Sequence, residues 1–354
     1  MMLFNYGRAL VKNGEYEKGI KKLNRIEHLL KNSIGNQCNN GIVSIMSESH
    51  DITIQHLGNS SNIDVIFSEL YLFKSMGYIE LGDAKKSIIN ANKSLQYKNC
   101  QRNHLNTILA RSYLMLGNFK ESKKLFYYNI KNNISKEISY LNYGISIANL
   151  GEFENAEKLF ERMIKEYPDF GEVNINLALV KIELGKTDEA IQLCDLVLSN
   201  DPYQIDSLLI KGGVILNSFQ QGQELDHSWG GVAINCYKKA IEIDPNQAIF
   251  YSDLGLLQLY IGKQKESSKN IEKALKMEPN NCDVLMKKLL FLDINNKYEE
   301  IILHCNHIIS LYPDAFPVLP YKALSLASLN RFNEAYEIAY SIKERFPYVE
   351  LYFN

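Results

Sequence analysis

The densest group of chemically capable side chains in this 354-residue chain is His304-Cys305-Asn306-His307. Imidazoles and thiolates bind zinc, and His304 and His307, three residues apart, would share one helical face. A tetrahedral site needs four ligands, however, and no third partner at metal-ligand spacing follows them. The six cysteines (Cys38, Cys100, Cys194, Cys236, Cys282, Cys305) lie far apart with no Cys-x-x-Cys, which suits reduced, mostly buried thiols better than a disulfide frame or a zinc site. Gly212-Gly213 and Gly230-Gly231 could bring backbone amides near a phosphate, but neither leads into a Gly-x-x-x-x-Gly-Lys-Ser/Thr loop. The nucleophile elbow Gly-x-Ser-x-Gly and the metalloprotease His-Glu-x-x-His are missing too. We therefore expect no catalytic residue, no metal and no cofactor: the chain reads as a non-enzyme.

Charge and hydropathy narrow the classes further. Thirty-nine Lys+Arg against forty-one Asp+Glu give a formal charge of −2 without a long basic run, which argues against a nucleic-acid surface. Short runs such as Lys85-Lys86 and Lys123-Lys124 read as solvated faces. No stretch reaches the roughly 18 apolar residues of a spanning helix, so membrane insertion is not expected. The first residues lack the basic-then-apolar layout of a signal peptide, and the default compartment is the cytoplasm. A hydrophobic content of 46% is enough to bury a core.

The elements that must carry any function announce themselves by period. Pro168, Pro202, Pro245, Pro279, Pro313 and Pro347 recur about every 34 residues, with one longer step between Pro202 and Pro245. In the same phase run Gly14, Gly82, Gly117, Gly151, Gly185 and Gly262, with Asn296 and Asn330 in the two places where glycine is replaced. Gly and Asn tolerate the left-handed backbone that ends a helix, so each marks a turn between two helices.

These residues resemble the tetratricopeptide repeat family, whose unit runs W-x2-L-G-x2-Y, A-x3-F, P. The likeness recurs along the chain: Tyr140, Tyr143-Gly144, Ile147, Ala156, Phe160, Pro168 in the fourth unit; Leu177-Ala178, Ala190, Cys194, Pro202 in the fifth; Tyr251, Leu254-Gly255, Ser267, Ile271, Pro279 in the seventh; and Tyr6-Gly7, Leu10, Gly19, Leu23 in the first. Small residues at paired places (Gly144 with Ala156, Ala178 with Ala190, Gly212 with Ala233, Ala323 with Ala335) let two helices approach; Leu289 and Ile301 in the eighth unit predict a wider pair. Repeat register assigns Cys305 to the core. The resemblance implies an all-α fold, a right-handed α-solenoid of about nine stacked antiparallel helix pairs. Residues 1–33 form the first unit, 34–66 an Asn/Ser/Gly-rich insertion, and 67–349 eight further units with a loop insertion at about 219–228; an apolar tail, 350–354, follows. The insertion at 34–66 reads as a loop, with a degenerate repeat as the alternative. Pro317 and Pro320 should shorten the first helix of the ninth unit.

Function then rests on the architecture. Such arrays line a concave surface with their first helices, and the resemblance implies a protein or peptide partner held there. The face expected to point into the groove reads Leu141, Ile145 and Ala148; Ile175, Leu179 and Ile182; Leu209 and Leu216; Leu256 and Leu259; Met286 and Leu290. Its apolar character predicts an amphipathic partner segment, the alternative being that winding lets these residues bury one another. Some family members hold a ligand's backbone with one asparagine per repeat, and here that place carries Asn5, Asn142, Asn176 and Asp253, interrupted by Ile210, Lys287 and Tyr321. The two-carboxylate clamp of the co-chaperone type is missing, since Phe4 and Arg8 stand where Lys and Asn should. The reading is a non-enzymatic interaction scaffold; the alternative is a regulatory or substrate-presenting region of a larger enzyme or assembly. Self-association through the C-terminal end is a further option.

Overall fold

The computed structural model describes residues 2–36, 60–222 and 227–345. These form eighteen α-helices and one 3-10 turn, with no strand among them. The helices pair in sequence: α1 (Met2–Lys12) with α2 (Tyr16–Asn36), α3 (Ser60–Glu80) with α4 (Ala84–Leu95), α5 (Arg102–Met115) with α6 (Phe119–Lys131), and α7 (Lys136–Ala148) with α8 (Phe153–Glu166). Next come α9 (Glu172–Glu183) and α10 (Thr187–Asn200), α11 (Ile205–Gln220) and α12 (His227–Ile243), α13 (Ala248–Tyr260) and α14 (Gln264–Met277). Last are α15 (Cys282–Ile294) with α16 (Tyr298–Leu311), and α17 (Leu319–Ser328) with α18 (Phe332–Arg345). The fold is all-α, helix pairs in succession, as the resemblance to the tetratricopeptide repeat implies.

The turn markers do what their chemistry allows. Gly14, Gly82, Gly117, Gly151, Gly185 and Gly262 all have φ between 71° and 83°, and Asn296 and Asn330 adopt 52° and 58°. Two second helices begin on a side-chain cap: Asp83 accepts from the Lys86 amide and Asn118 from that of Glu121. Among first helices, Gln204 caps α11 and Asn281 caps α15.

The chain divides into two compact units, Met1–Val180 and Lys181–Asn354. In the first, each helix from α1 to α8 packs on the next, and the first helices also touch one another, α1 on α3, α3 on α5 and α5 on α7. Its core includes Phe4, Leu23, Leu30, Leu70, Leu72 and Leu105. Close helix approach is visible at Gly144, where an added Cβ would lie 2.3 Å from the Phe160 ring. Serines fill other crossings: Ser75 and Ser87 exchange hydrogen bonds across α3 and α4, Ser112 reaches Ser87, and Ser122 pairs with Ser146 at 3.0 Å, all fully buried.

In the second unit the same succession runs from α10 to α18, with α13 lying against both α11 and α15. One core joins Tyr237, Leu254, Leu257, Ile271, Leu289, Ile301 and Cys305. Leu289 and Ile301 are completely buried, and α15 and α16 approach less closely than α13 and α14, where Gly255 stands at the crossing. The two prolines give a 3-10 turn, Phe316–Val318, ahead of a ten-residue α17.

Residues 34–36 and 60–66 are helical extensions of α2 and α3; the rest of that insertion lies outside the described residues. At 219–228 the structure differs from a simple loop: α11 takes up residues to Gln220 and α12 begins at His227, so that Trp229 packs on the core. The expected apolar tail, 350–354, lies outside the described residues.

Candidate protein-binding surface

The expected groove residues separate into two groups once placed. In the first unit, Leu141 is buried at 6% exposure, Ile145 and Ile175 are half-buried, and Leu179 is 47% exposed. Leu141 and Ile175, Asn142 and Asn176, and Ile145 and Leu179 each stand one repeat period apart on the successive first helices α7 and α9. Both amides are half-buried, and each turns its Nδ2 back to its own helix, Asn142 to the Ile138 carbonyl and Asn176 to that of Glu172, at 2.9 Å. Their carbonyl oxygens accept from no protein donor among the described residues, leaving an acceptor on each.

The second unit corrects the sequence expectation. Leu216, Leu256 and Leu259 are 5%, 1% and 5% exposed and belong to the core, not to an open face. Leu209, Met286 and Leu290 are half-buried against the same core, and Ile182 is half-buried. The cause is lateral packing: α13 is flanked by α11 and α15, so its groove-side leucines are covered by neighbouring first helices. Asp253 is not available either, because its carboxylate pairs with Lys287, one repeat period further along the chain. Burial raises the Asp253 pKa, while the Lys287 ammonium works against that rise. The same happens at the clamp position in the first unit, where Arg8 bonds Glu69 at 2.7 Å and stacks on Phe4 and Phe73.

Other candidates resolve into structure. His304 lies 2.9 Å from the Leu285 carbonyl, and burial lowers its pKa. Cys305 is fully buried and its thiol is pushed up to about 12 by that burial. Among the described residues no group of three or more His, Cys, Asp or Glu could hold a metal ion. No helix among them is long and apolar enough to cross a membrane. Of the lysine runs, Lys123 bonds Glu152 at 2.6 Å and so ties α6 to the turn before α8. A shallow groove of about 670 Å³ opens beside this pair, walled by Tyr127, Tyr143 and Leu150. No periodic signal marked it, since its walls come from α6, from Tyr143 within α7 and from the turn that follows α7.

The comparisons with known proteins follow the geometry. Signatures described as "Tetratricopeptide repeat" match residues 150–208 and 248–281, and one described as "TPR repeat" matches 232–262. The chain is a tetratricopeptide-repeat protein. It is 25% identical over 191 residues to BBSome complex member bbs-4 of Caenorhabditis elegans, covering 53% of this chain and 38% of that protein. It is 23% identical over 125 residues to Protein O-mannosyl-transferase Tmtc3 of Drosophila melanogaster, covering 35% of this chain and 13% of that one. The chain thus matches well under half the length of either relative. Among solved structures, a tetratricopeptide repeat protein from Parabacteroides merdae overlays with a TM-score of 0.56 at 16% identity, covering 73% of this chain and 99% of that one. The APC/C hetero-tetramer Cut9-Hcn1 overlays with 0.58 at 15%, covering 75% and 52%. These likenesses are to the fold. Tetratricopeptide repeats are in general protein–protein interaction scaffolds, and that coarse function applies here.

Proposed function

We propose that the protein is a non-enzymatic scaffold whose first unit receives an amphipathic or extended partner segment along α7 and α9. The observation that carries this reading is Leu179, a leucine 47% exposed on a face that also presents half-buried Ile145 and Ile175. An apolar side chain held open beside other apolar groups gains roughly 1.5–3 kcal/mol when fully covered, and the Leu179 half-share is about 1 kcal/mol. Asn142 and Asn176 sit beside that face with free carbonyl oxygens, each able to accept from a partner's backbone amide. In the second unit Leu216, Leu256 and Leu259 are core and Asp253 is ion-paired, so these positions contribute rigidity and not contact.

The test is selection of helical and extended peptides on the protein by display, followed by titration of the recovered peptide. Leu179→Asp should weaken binding at least about tenfold, the equivalent of about 1.4 kcal/mol, with an unchanged melting temperature. Equal affinity for wild type and Leu179→Asp would remove the surface from consideration. A second reading, that these repeats serve within a larger enzyme or assembly, is favoured by the two relatives: one is a complex member and the other a transferase, and each extends well beyond the matched segment.

A further inference from the structure

Helix α6 gathers positive charge around an aromatic floor. It carries four lysines and one glutamate, in a chain whose formal charge is −2. Lys120, Lys124, Tyr127 and Lys131 follow one another at helical spacing, with Lys123 beside them, and so line one face. Tyr127 is 49% exposed and meets Tyr143 of α7 with ring centroids 6.1 Å apart and planes tilted by 40°. Leu150 continues this floor toward the α6 N-terminus, where Lys120 stands at the rim of the groove. Tyr143 is two residues from both Leu141 and Ile145, about 200° around α7, so this groove is distinct from the α7 and α9 face.

The carboxylates at the groove do not balance its lysines. Lys123 bonds Glu152 at 2.6 Å and Lys124 bonds Glu121 at 2.7 Å. Lys120 and Lys131, both exposed, have no carboxylate partner among the described residues; Lys131 lies over the Tyr127 ring, 5.4 Å from its centroid. Their positions are eleven residues apart, about 16 Å along a helix. An extended chain covers that distance in about five residues. Between the two ammonium groups lies a floor of two tyrosine rings, on which a further aromatic ring packs favourably. From this complementarity of charge and shape we infer that the α6 groove is a docking site for an acidic segment of a partner protein, one that places a single aromatic side chain between two groups of carboxylates. The aromatic anchor supplies the apolar burial, and the carboxylates, on exposed lysines, supply orientation and selectivity more than affinity. A neutral segment would leave both lysines without a counter-charge. A nucleic-acid strand fits less well, because Glu121 and Glu152 flank the floor and the basic face ends after three helical turns. The inference does not rest on the α7 and α9 reading.

The experiment is calorimetric titration of the full chain with a synthetic, end-capped peptide in which three glutamates stand on each side of one phenylalanine. The expected result is saturable binding by a protein that sediments as a monomer, weaker in higher salt. Lys120→Glu and Tyr127→Ala should each weaken it at least about fivefold. Both side chains are exposed, so melting temperatures should match wild type. Lys85→Glu, which reverses an exposed lysine on α4, and Leu179→Asp should both leave this peptide's affinity unchanged, so that failure of the α7 and α9 reading would not touch this one. The inference is overturned by the absence of saturable binding, or by equal affinity for a control peptide with glutamine for glutamate or glycine for phenylalanine. An equal loss in Lys85→Glu would trace binding to the charge of the whole chain and overturn it too. So would a wild-type dimer that Lys120→Glu dissociates, making a second copy the occupant, or a single-stranded oligonucleotide that binds more tightly than the peptide and displaces it, making the occupant a nucleic acid.

Discussion

Replacing Leu256 and Leu179 by alanine separates core from surface on what reads, in sequence, as a single stripe. Leu256 is 1% exposed inside the core that joins α11 to α16. Removing the equivalent of about three methylenes there forfeits about 2 kcal/mol of transfer energy, at about 0.8 kcal/mol each for those that stay buried. The cavity left among Leu257, Leu285 and their neighbours adds to it, so the expected cost is about 3 kcal/mol, inside the range of about 2–5 kcal/mol for buried leucines. For a unit of this size about 1 kcal/mol corresponds to about 2–4 °C, giving a fall of roughly 6–12 °C. Leu179 is 47% exposed, loses about half the transfer term and leaves no cavity, so Leu179→Ala should cost less than about 1 kcal/mol. Circular dichroism melts and urea titrations of both variants measure the contrast. Equal losses, or a Leu256→Ala melting temperature within about 1 °C of wild type, would refute the lateral packing of α13 between α11 and α15.

Further outcomes are specific to single residues. Gly144→Ala should destabilise the first unit by about 1–3 kcal/mol, the range for overpacking, because its Cβ would meet the Phe160 ring at 2.3 Å; a thermal melt reads it. Burial would raise the Glu27 carboxyl, but hydrogen bonds from Lys31, Lys74 and Tyr71 outweigh it and hold the pKa at about 2. The folded value lies below the unfolded one, so this stabilisation is complete above about pH 4.5 and is lost as pH falls toward about 2. In Glu27→Gln the urea midpoint should therefore drop less steeply across that window than in wild type. Cys194 and Cys305, with thiols pushed up to about 12 by burial, should react with Ellman's reagent only on unfolding.

The period was legible because it is written in residues with special backbone needs. All eight Gly or Asn turn markers adopt positive φ, and Ala156, Ala190 and Ala233 are fully buried where helices of a pair should approach. The buried serines were not legible: in a polar–apolar pattern Ser87 or Ser122 looks like a solvated residue, and only the partner hydroxyl across the crossing makes burial affordable. Nor could Asp253 be read correctly alone. Its partner Lys287 looked like a break in a ladder, and only the stacking of successive first helices turns that break into an ion pair. The burial of Leu256 escaped for the same reason, since a period describes each unit but not how tightly neighbouring units wind. Leu179 and Leu256 share a pattern; lateral neighbours decide which is surface.

The most direct measurement is site-specific photo-crosslinking with benzoylphenylalanine at position 179 or, as a control, at position 89, where Ile89 is 53% exposed on α4. With a peptide selected on the full chain, crosslinks are expected from position 179 and not from position 89. Crosslinks from 89 with none from 179 would place the partner elsewhere and contradict the assignment of α7 and α9 as its binding face.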